Sequence, residues 1–153
     1  MRSSGLVYKP PRRKIVRLFS ASLMSNTKWR KMFVMLGRDN ANVGLKQAFI
    51  KLIDEEMEYS IAAPEPSNLH LPGSYIDLPS GRVAFSSIEW IEYPLVARHE
   101  RRPPNGTGRL PPSEIVQDLD KAEAVIRKLG QYPLERTERG LRIWGYSGRR
   151  TQS

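Results

Sequence analysis

The chain has 153 residues, 39% hydrophobic and 27% charged, and no cysteine. That length fits one domain, and the lack of thiols excludes disulfides, thiolate metal sites and cysteine nucleophiles. No run approaches the roughly 18 apolar residues of a membrane helix and no apolar secretory core follows the first residues, so a cytoplasmic protein is expected.

The formal charge is +9 and the isoelectric point is near 10.1. A surplus of that size points to nucleic acid or a membrane surface, but its distribution changes the reading. Residues 1–23 hold Arg2, Lys9, Arg12, Arg13, Lys14 and Arg17 with no acid, Arg149 and Arg150 stand near the other end, and between them 17 basic residues face 16 acidic ones. The body is close to neutral and the basicity sits on the ends.

Residues 1–23 show no clear periodicity before Ile15, and Pro10 and Pro11 interrupt them. Three readings compete: a flexible basic arm, an extension ahead of a start at Met24, and a transit-peptide look-alike. From Met24 the pattern sharpens. Ser25, Asn26 and Thr27 are good N-caps, Trp29, Met32, Phe33 and Leu36 form one helical face, and Gly37 supplies a stop. Residues 38–46 read as a loop. "AFIKLI" fits a helical stripe or a short strand, and its brevity favours the strand; the acidic group Asp54, Glu55, Glu56 and Glu58 ends it. Pro64, Pro66, Pro72 and Pro79 then mark a long irregular stretch.

"PSGR" at 79–82 reads as a turn and "VAFSSIEWIEY" as β-structure, although Ser86 with Glu89 also resembles a helical capping box. Residues 101–112 are a loop by composition. Ser113 is expected to cap the best helix, with Ile115, Leu119, Ala122, Ile126 and Leu129 on its apolar face and Gly130 as its stop. Gly140 is expected to turn "PLERT" into "LRIWGY", a strand with Leu141 and Ile143 on its buried face. The expected organisation is a basic extension over 1–23, a single domain over 24–148 and a basic tail over 149–153. The domain is α+β: a small, mostly antiparallel sheet packed by two amphipathic helices, preceded by a flexible basic arm.

Catalytic chemistry finds little support. His70 and His99 lie far apart in loop-like settings and fit no zinc spacing. The acidic group lacks the spaced oxygens and central glycine of a calcium loop and reads as a solvated turn. Glu89 and Glu92 resemble a carboxylate pair, yet on a strand residues three apart point to opposite faces, and no partner for acid–base work is evident. No nucleophile-elbow, Walker or dinucleotide-binding glycine motif is present. No cofactor or metal is expected.

Two binding readings follow. Trp29, Trp90 and Trp144 lie among apolar residues and default to core, but Glu89, Trp90, Glu92, Trp144 and Tyr146 would give a sheet a mixed aromatic and charged face of the kind found at binding hot spots. The arm, through Arg12, Arg13, Lys14 and Arg17, would meet phosphates instead; it offers a nucleic-acid site but no groove-reading helix.

The stretches "MSNTKWRKMF", "FSSIEWIEY" and "GLRIWGY", the last after an amphipathic helix, together resemble a family of small bacterial proteins of unknown function whose members open M-S-N-T-K-W-R. The likeness covers about residues 24–147. It implies a bacterial cytoplasmic protein and carries no activity or site. Analogy with small α+β proteins of this kind adds the expectation of an immunity-type inhibitor. The leading reading is a non-catalytic interaction protein with a protein partner and no membrane role; a nucleic-acid-associated protein is second, and an enzyme with a carboxylate site at Glu89 or Glu92 third.

Overall fold

The computed structural model describes residues 9–37, 43–70, 74–99 and 113–150, and among them three helices and twelve strands. Every pairing is antiparallel, and the class is α+β. Helix α1 is Arg12–Leu18, α2 is Asn26–Leu36 and α3 is Leu119–Leu129. Strands β1 to β7 are Ala21–Ser22, Gln47–Leu52, Tyr59–Ala62, Leu69–His70, Tyr75–Leu78, Gly81–Ala84 and Ile88–Pro94. Strands β8 to β12 are Val96–His99, Ser113–Val116, Leu134–Arg136, Gly140–Trp144 and Tyr146–Ser147.

The main sheet has the order β10-β11-β7-β2-β3. Alternation puts Ala48, Ile50 and Leu52 of β2 inward with Ile91, Tyr93, Leu141 and Ile143, and all seven belong to one core with Trp29, Met32 and Phe33 of α2 and Ala122 and Ile126 of α3. α2 follows its pattern closely. The Ser25 hydroxyl accepts from the Lys28 N–H at 3.1 Å, the striped residues are all buried, and Trp29 and Phe33 stack at 5.6 Å. Each such side chain contributes roughly 1.5–3 kcal/mol through burial.

Four expectations are corrected. Ser113 does not cap a helix: Ser113–Val116 is a strand paired with β8, and α3 starts at Leu119 with the Asp118 carboxylate accepting from the Lys121 N–H at 3.0 Å. The β-branched pair Ile115–Val116 prefers the pleated conformation, and it is exposed rather than on the core face of a helix. The stretch expected to be irregular holds β3, β4 and β5, with Pro64, Pro66 and Pro79 falling between strands and Pro72 outside the described residues. Gly140 opens β11 instead of making the turn, which residues 137–139 provide.

The fourth correction concerns the arm. From Arg12 it is not a flexible appendage. Leu18 and Phe19 are buried in a second small core with Ile53 and Tyr146, and Phe19 stacks on Tyr146 at 4.9 Å. β1 pairs with β12, Ala21 opposite Ser147 and Ser22 opposite Tyr146. The bend that delivers β12 to this pairing is Gly145, where a Cβ would fall 2.2 Å from the Ile88 carbonyl oxygen. The tail is also tied down: Arg149 contacts Glu89 at 3.1 Å. The two terminal segments are apolar enough only together, which is why neither showed a pattern of its own.

Phe19→Ala is therefore expected to destabilise the protein by about 3 kcal/mol in chemical denaturation, whereas an unpacked arm would give a change within experimental error.

Candidate functional site

The face of the main sheet turned away from the helices carries two cross-strand rows. Register puts Phe49, Glu92, Arg142 and Glu135 side by side across β2, β7, β11 and β10, and Lys51, Trp90 and Trp144 in the next row. Glu92 is the centre. Its side chain is 1% exposed, and it accepts from Thr137 Oγ1 at 2.8 Å, from Arg142 Nε at 3.0 Å and from Arg139 Nε. Arg139, on the β10–β11 turn, also forks onto Glu58 at 2.5 and 3.0 Å and lies 3.9 Å over the Phe49 ring. Arg142 lies 3.8 Å from the Trp90 ring and 5.1 Å from that of Trp144, whose indole N–H donates to Glu135 at 3.0 Å.

Burial would raise the carboxyl of Glu92, but the bonds from Arg139 and Thr137 and the charges of Arg142 and Arg139 outweigh it and hold the group below its ordinary range. Glu92 is thus ionised near neutrality with its acceptors taken, which suits a structural anion better than a proton carrier. Glu89 shares none of these partners. It meets Lys51 at 3.3 Å and Arg149 at 3.1 Å, beside the small core.

Of the five partner-binding candidates, Trp90, Glu92 and Trp144 come together on the outer face, with Trp90 and Glu92 buried beneath Arg142 and Arg139. Glu89 and Tyr146 lie elsewhere; Tyr146 is buried, its hydroxyl donates to the Ser86 carbonyl at 2.7 Å, and burial raises its pKa. Arg12, Arg13, Lys14 and Arg17 all stand on α1, where Arg12, Arg13 and Arg17 are exposed and Lys14 bonds Asp54. His70 pairs with Asp77 at 2.5 Å on the β4–β5 hairpin. Among the described residues no three histidine or carboxylate side chains form a metal-binding group, and no helix is long and apolar enough to cross a membrane.

A different surface emerges at the end of the sheet. β8 and β9 form a two-stranded ribbon on which Val96, Ile115 and Val116 are 41, 38 and 73% exposed, and Leu95, just ahead of β8, is 48% exposed. The ribbon is fastened by Gln117, a residue the sequence did not single out. Gln117 is 2% exposed. Its Oε1 accepts from the N–H groups of Lys46 and Gln47 at 2.6 and 3.1 Å, and its Nε2 donates to the carbonyls of Gln47 and Pro94 at 3.2 and 2.7 Å. The Gln47 side chain reaches back to the Arg98 N–H at 2.7 Å. A glutamine between an exposed strand and a helix cap carries no sequence signal; only the meeting of β2, β7 and β9 gives it four partners. Beside the ribbon, a depression of about 420 Å³ runs from Leu95 and Val116 to Asp118 and Asp120 at the start of α3.

The chain matches the model of a family of unknown function, DUF6678, over residues 12–150. It belongs to that family. The DUF6678 match begins at the first residue of α1, so it takes in the basic helix as well as the main sheet. No curated protein and no solved structure matches the chain.

Two outcomes test this geometry. Glu92→Gln is expected to lower unfolding stability at pH 7 by about 2–3 kcal/mol, below the full cost of breaking a buried pair because both arginines keep some water. An unfolded glutamate titrates near 4.3 and folded Glu92 lower, so its contribution is present above about pH 4.3 and is lost as pH falls through the folded value; the gap between wild type and variant should close on acidification. Gln117→Met removes the partner of two N–H groups and two carbonyls and is expected to cost on the order of 3 kcal/mol, with amide exchange rising first in β8 and β9.

Proposed function

We propose that this protein is a non-catalytic binding module whose partner is another polypeptide, held on the β8–β9 ribbon. The observation that carries the reading is the ribbon itself. Four of the seven exposed large hydrophobic side chains among the described residues are Leu95, Val96, Ile115 and Val116, and such grouping marks contact surfaces. Among the described residues β9 has one strand neighbour, β8, so its other edge offers backbone donors and acceptors to an added strand. The occupant that fits is an extended segment with alternating apolar side chains: the alternate residues cover Val96 and Val116, and its end enters the depression rimmed by Asp118 and Asp120.

Support also comes from the carboxylates. Glu92 is neutralised by two arginines and Glu89 by Lys51 and Arg149, an arrangement for holding structure. In this reading Trp90, Glu92 and Trp144 stiffen the sheet that presents the ribbon rather than touching the partner. An immunity-type inhibitor is the narrower form of the same proposal and adds one expectation: an enzyme bound at the ribbon loses activity in proportion to occupancy.

Linear peptides displayed on phage and selected on the wild-type protein test the site without a known partner. Selected peptides are expected to alternate apolar residues, to bind the Val96→Asp/Val116→Asp variant at least tenfold more weakly, and to slow amide exchange over residues 95–99 and 113–116. Equal binding to both proteins, or protection over Arg139 and Arg142 instead, overturns the assignment.

A further inference from the structure

The body of the molecule is almost neutral, and the basic residues lie some 130 positions apart along the chain, yet the fold brings them to one place. The Arg150 N–H donates to the Leu18 carbonyl at 2.7 Å, at the end of α1. The Ser20 N–H donates to the Ser147 and Gly148 carbonyls at 3.1 and 3.2 Å, continuing the β1–β12 pairing. Residues 9–23 and 149–150 thus form one pole that holds seven basic residues and no acidic one.

α1 decides which of these charges face outward. At about 100° per residue, Ile15 and Leu18 share one side, and both pack on the small core. Arg13, Val16 and Arg17 occupy the opposite side and Arg12 lies on the flank away from Lys14, all four exposed. Lys14 falls on the flank and bonds Asp54, and Glu55 and Glu56 follow on that same turn, so the mixed-charge flank and the basic face are separate. Among the described residues, the two carboxylates that contact the pole are committed, Asp54 to Lys14 and Glu89 to Lys51 and Arg149. Arg150 adds a fourth exposed guanidinium at the C-terminal end of the helix.

We infer that this pole is a binding surface for the phosphate backbone of a nucleic-acid duplex, engaged by Arg12, Arg13, Arg17 and Arg150. Arginine is the side chain suited to phosphate oxygens, through its planar fork of donors. A membrane surface fits less well, because an interfacial helix needs an apolar face toward the lipid and that of α1 is spent on Phe19 and Tyr146, leaving Val16 alone among the arginines. A single strand fits less well too, because it is held by bases stacking on aromatic rings, and among the described residues the aromatics of this pole, Phe19 and Tyr146, are buried against each other. Guanidinium groups on a convex helix read no base edges, so the binding is independent of sequence. The site goes beyond the ribbon reading and does not rest on it. Gln47 anchors the ribbon at one end of β2, and Ile53 packs into the pole just past the other.

The test uses the full chain with four labelled probes: a 20-base-pair DNA duplex, the same duplex in RNA, one DNA strand, and vesicles containing phosphatidylserine. Four phosphate contacts give a slope of log affinity on log salt of about −3.6, a loss of roughly 100-fold between 50 and 200 mM salt. Arg12→Gln/Arg13→Gln/Arg17→Gln is expected to flatten that slope by about 3 and Arg150→Gln by about 1, for both duplexes, with melting temperatures unchanged. The control Lys31→Gln/Lys46→Gln/Lys128→Gln removes as many exposed charges elsewhere and is expected to leave the slope alone. The inference is overturned by no duplex binding at 50 mM salt, by tighter binding to the single strand or the vesicles, or by an equal loss in the control.

Discussion

Two carboxylates are carried inward on β7, a strand buried at all seven of its positions, and much of the molecule's ionic structure is organised around neutralising them. An isolated buried carboxylate is costly enough that it must be paired or lose its charge. Glu92 recruits Thr137, Arg139 and Arg142 from the β10–β11 hairpin, and Arg139 in turn ties Glu58 and covers Phe49. Glu89, three residues earlier, recruits Lys51 and Arg149. The hairpin and the C-terminal segment are thereby fastened to the strand next to which they fold.

This requirement shapes the surfaces. The outer face of the main sheet has aromatic and charged residues in contact-ready types, yet its arginines are engaged with Glu92 and its tryptophans lie beside them. Four of the seven exposed large apolar side chains among the described residues gather at the ribbon, which hangs from the sheet through Gln117. Basicity left uncompensated by carboxylates is displaced the other way, to the pole made by α1 and the tail. The two surfaces are opposite in chemistry and stand beyond opposite ends of β2.

Much of the architecture was legible in local pattern. The α2 stripe, its Ser25 cap and Gly37 stop, the strand at "AFIKLI" and the alternation of Leu141 and Ile143 are all present as read. Misreadings came where local signals competed. Ser113 and Asp118 are both able caps, and the β-branched Ile115 and Val116 between them favoured a strand once Val96–His99 lay alongside. The arm was misread because Ile15, Leu18 and Phe19 are too few to specify anything until Ile53 and Tyr146 join them.

Composition and periodicity by themselves determined the class of fold, the buried stripe of α2, and the confinement of the charge surplus to the two ends. Tertiary structure alone decided that the ends meet, that Gln117 has four partners, that Glu89 and Glu92 belong to separate networks, and that Leu95, Val96, Ile115 and Val116 gather exposed at one ribbon. The reason is physical. Periodicity records which side of an element avoids water, a property of neighbours a few residues apart, whereas a hydrogen bond or an ion pair between residues 40 to 130 positions apart depends on where the backbone returns, and no local pattern contains that.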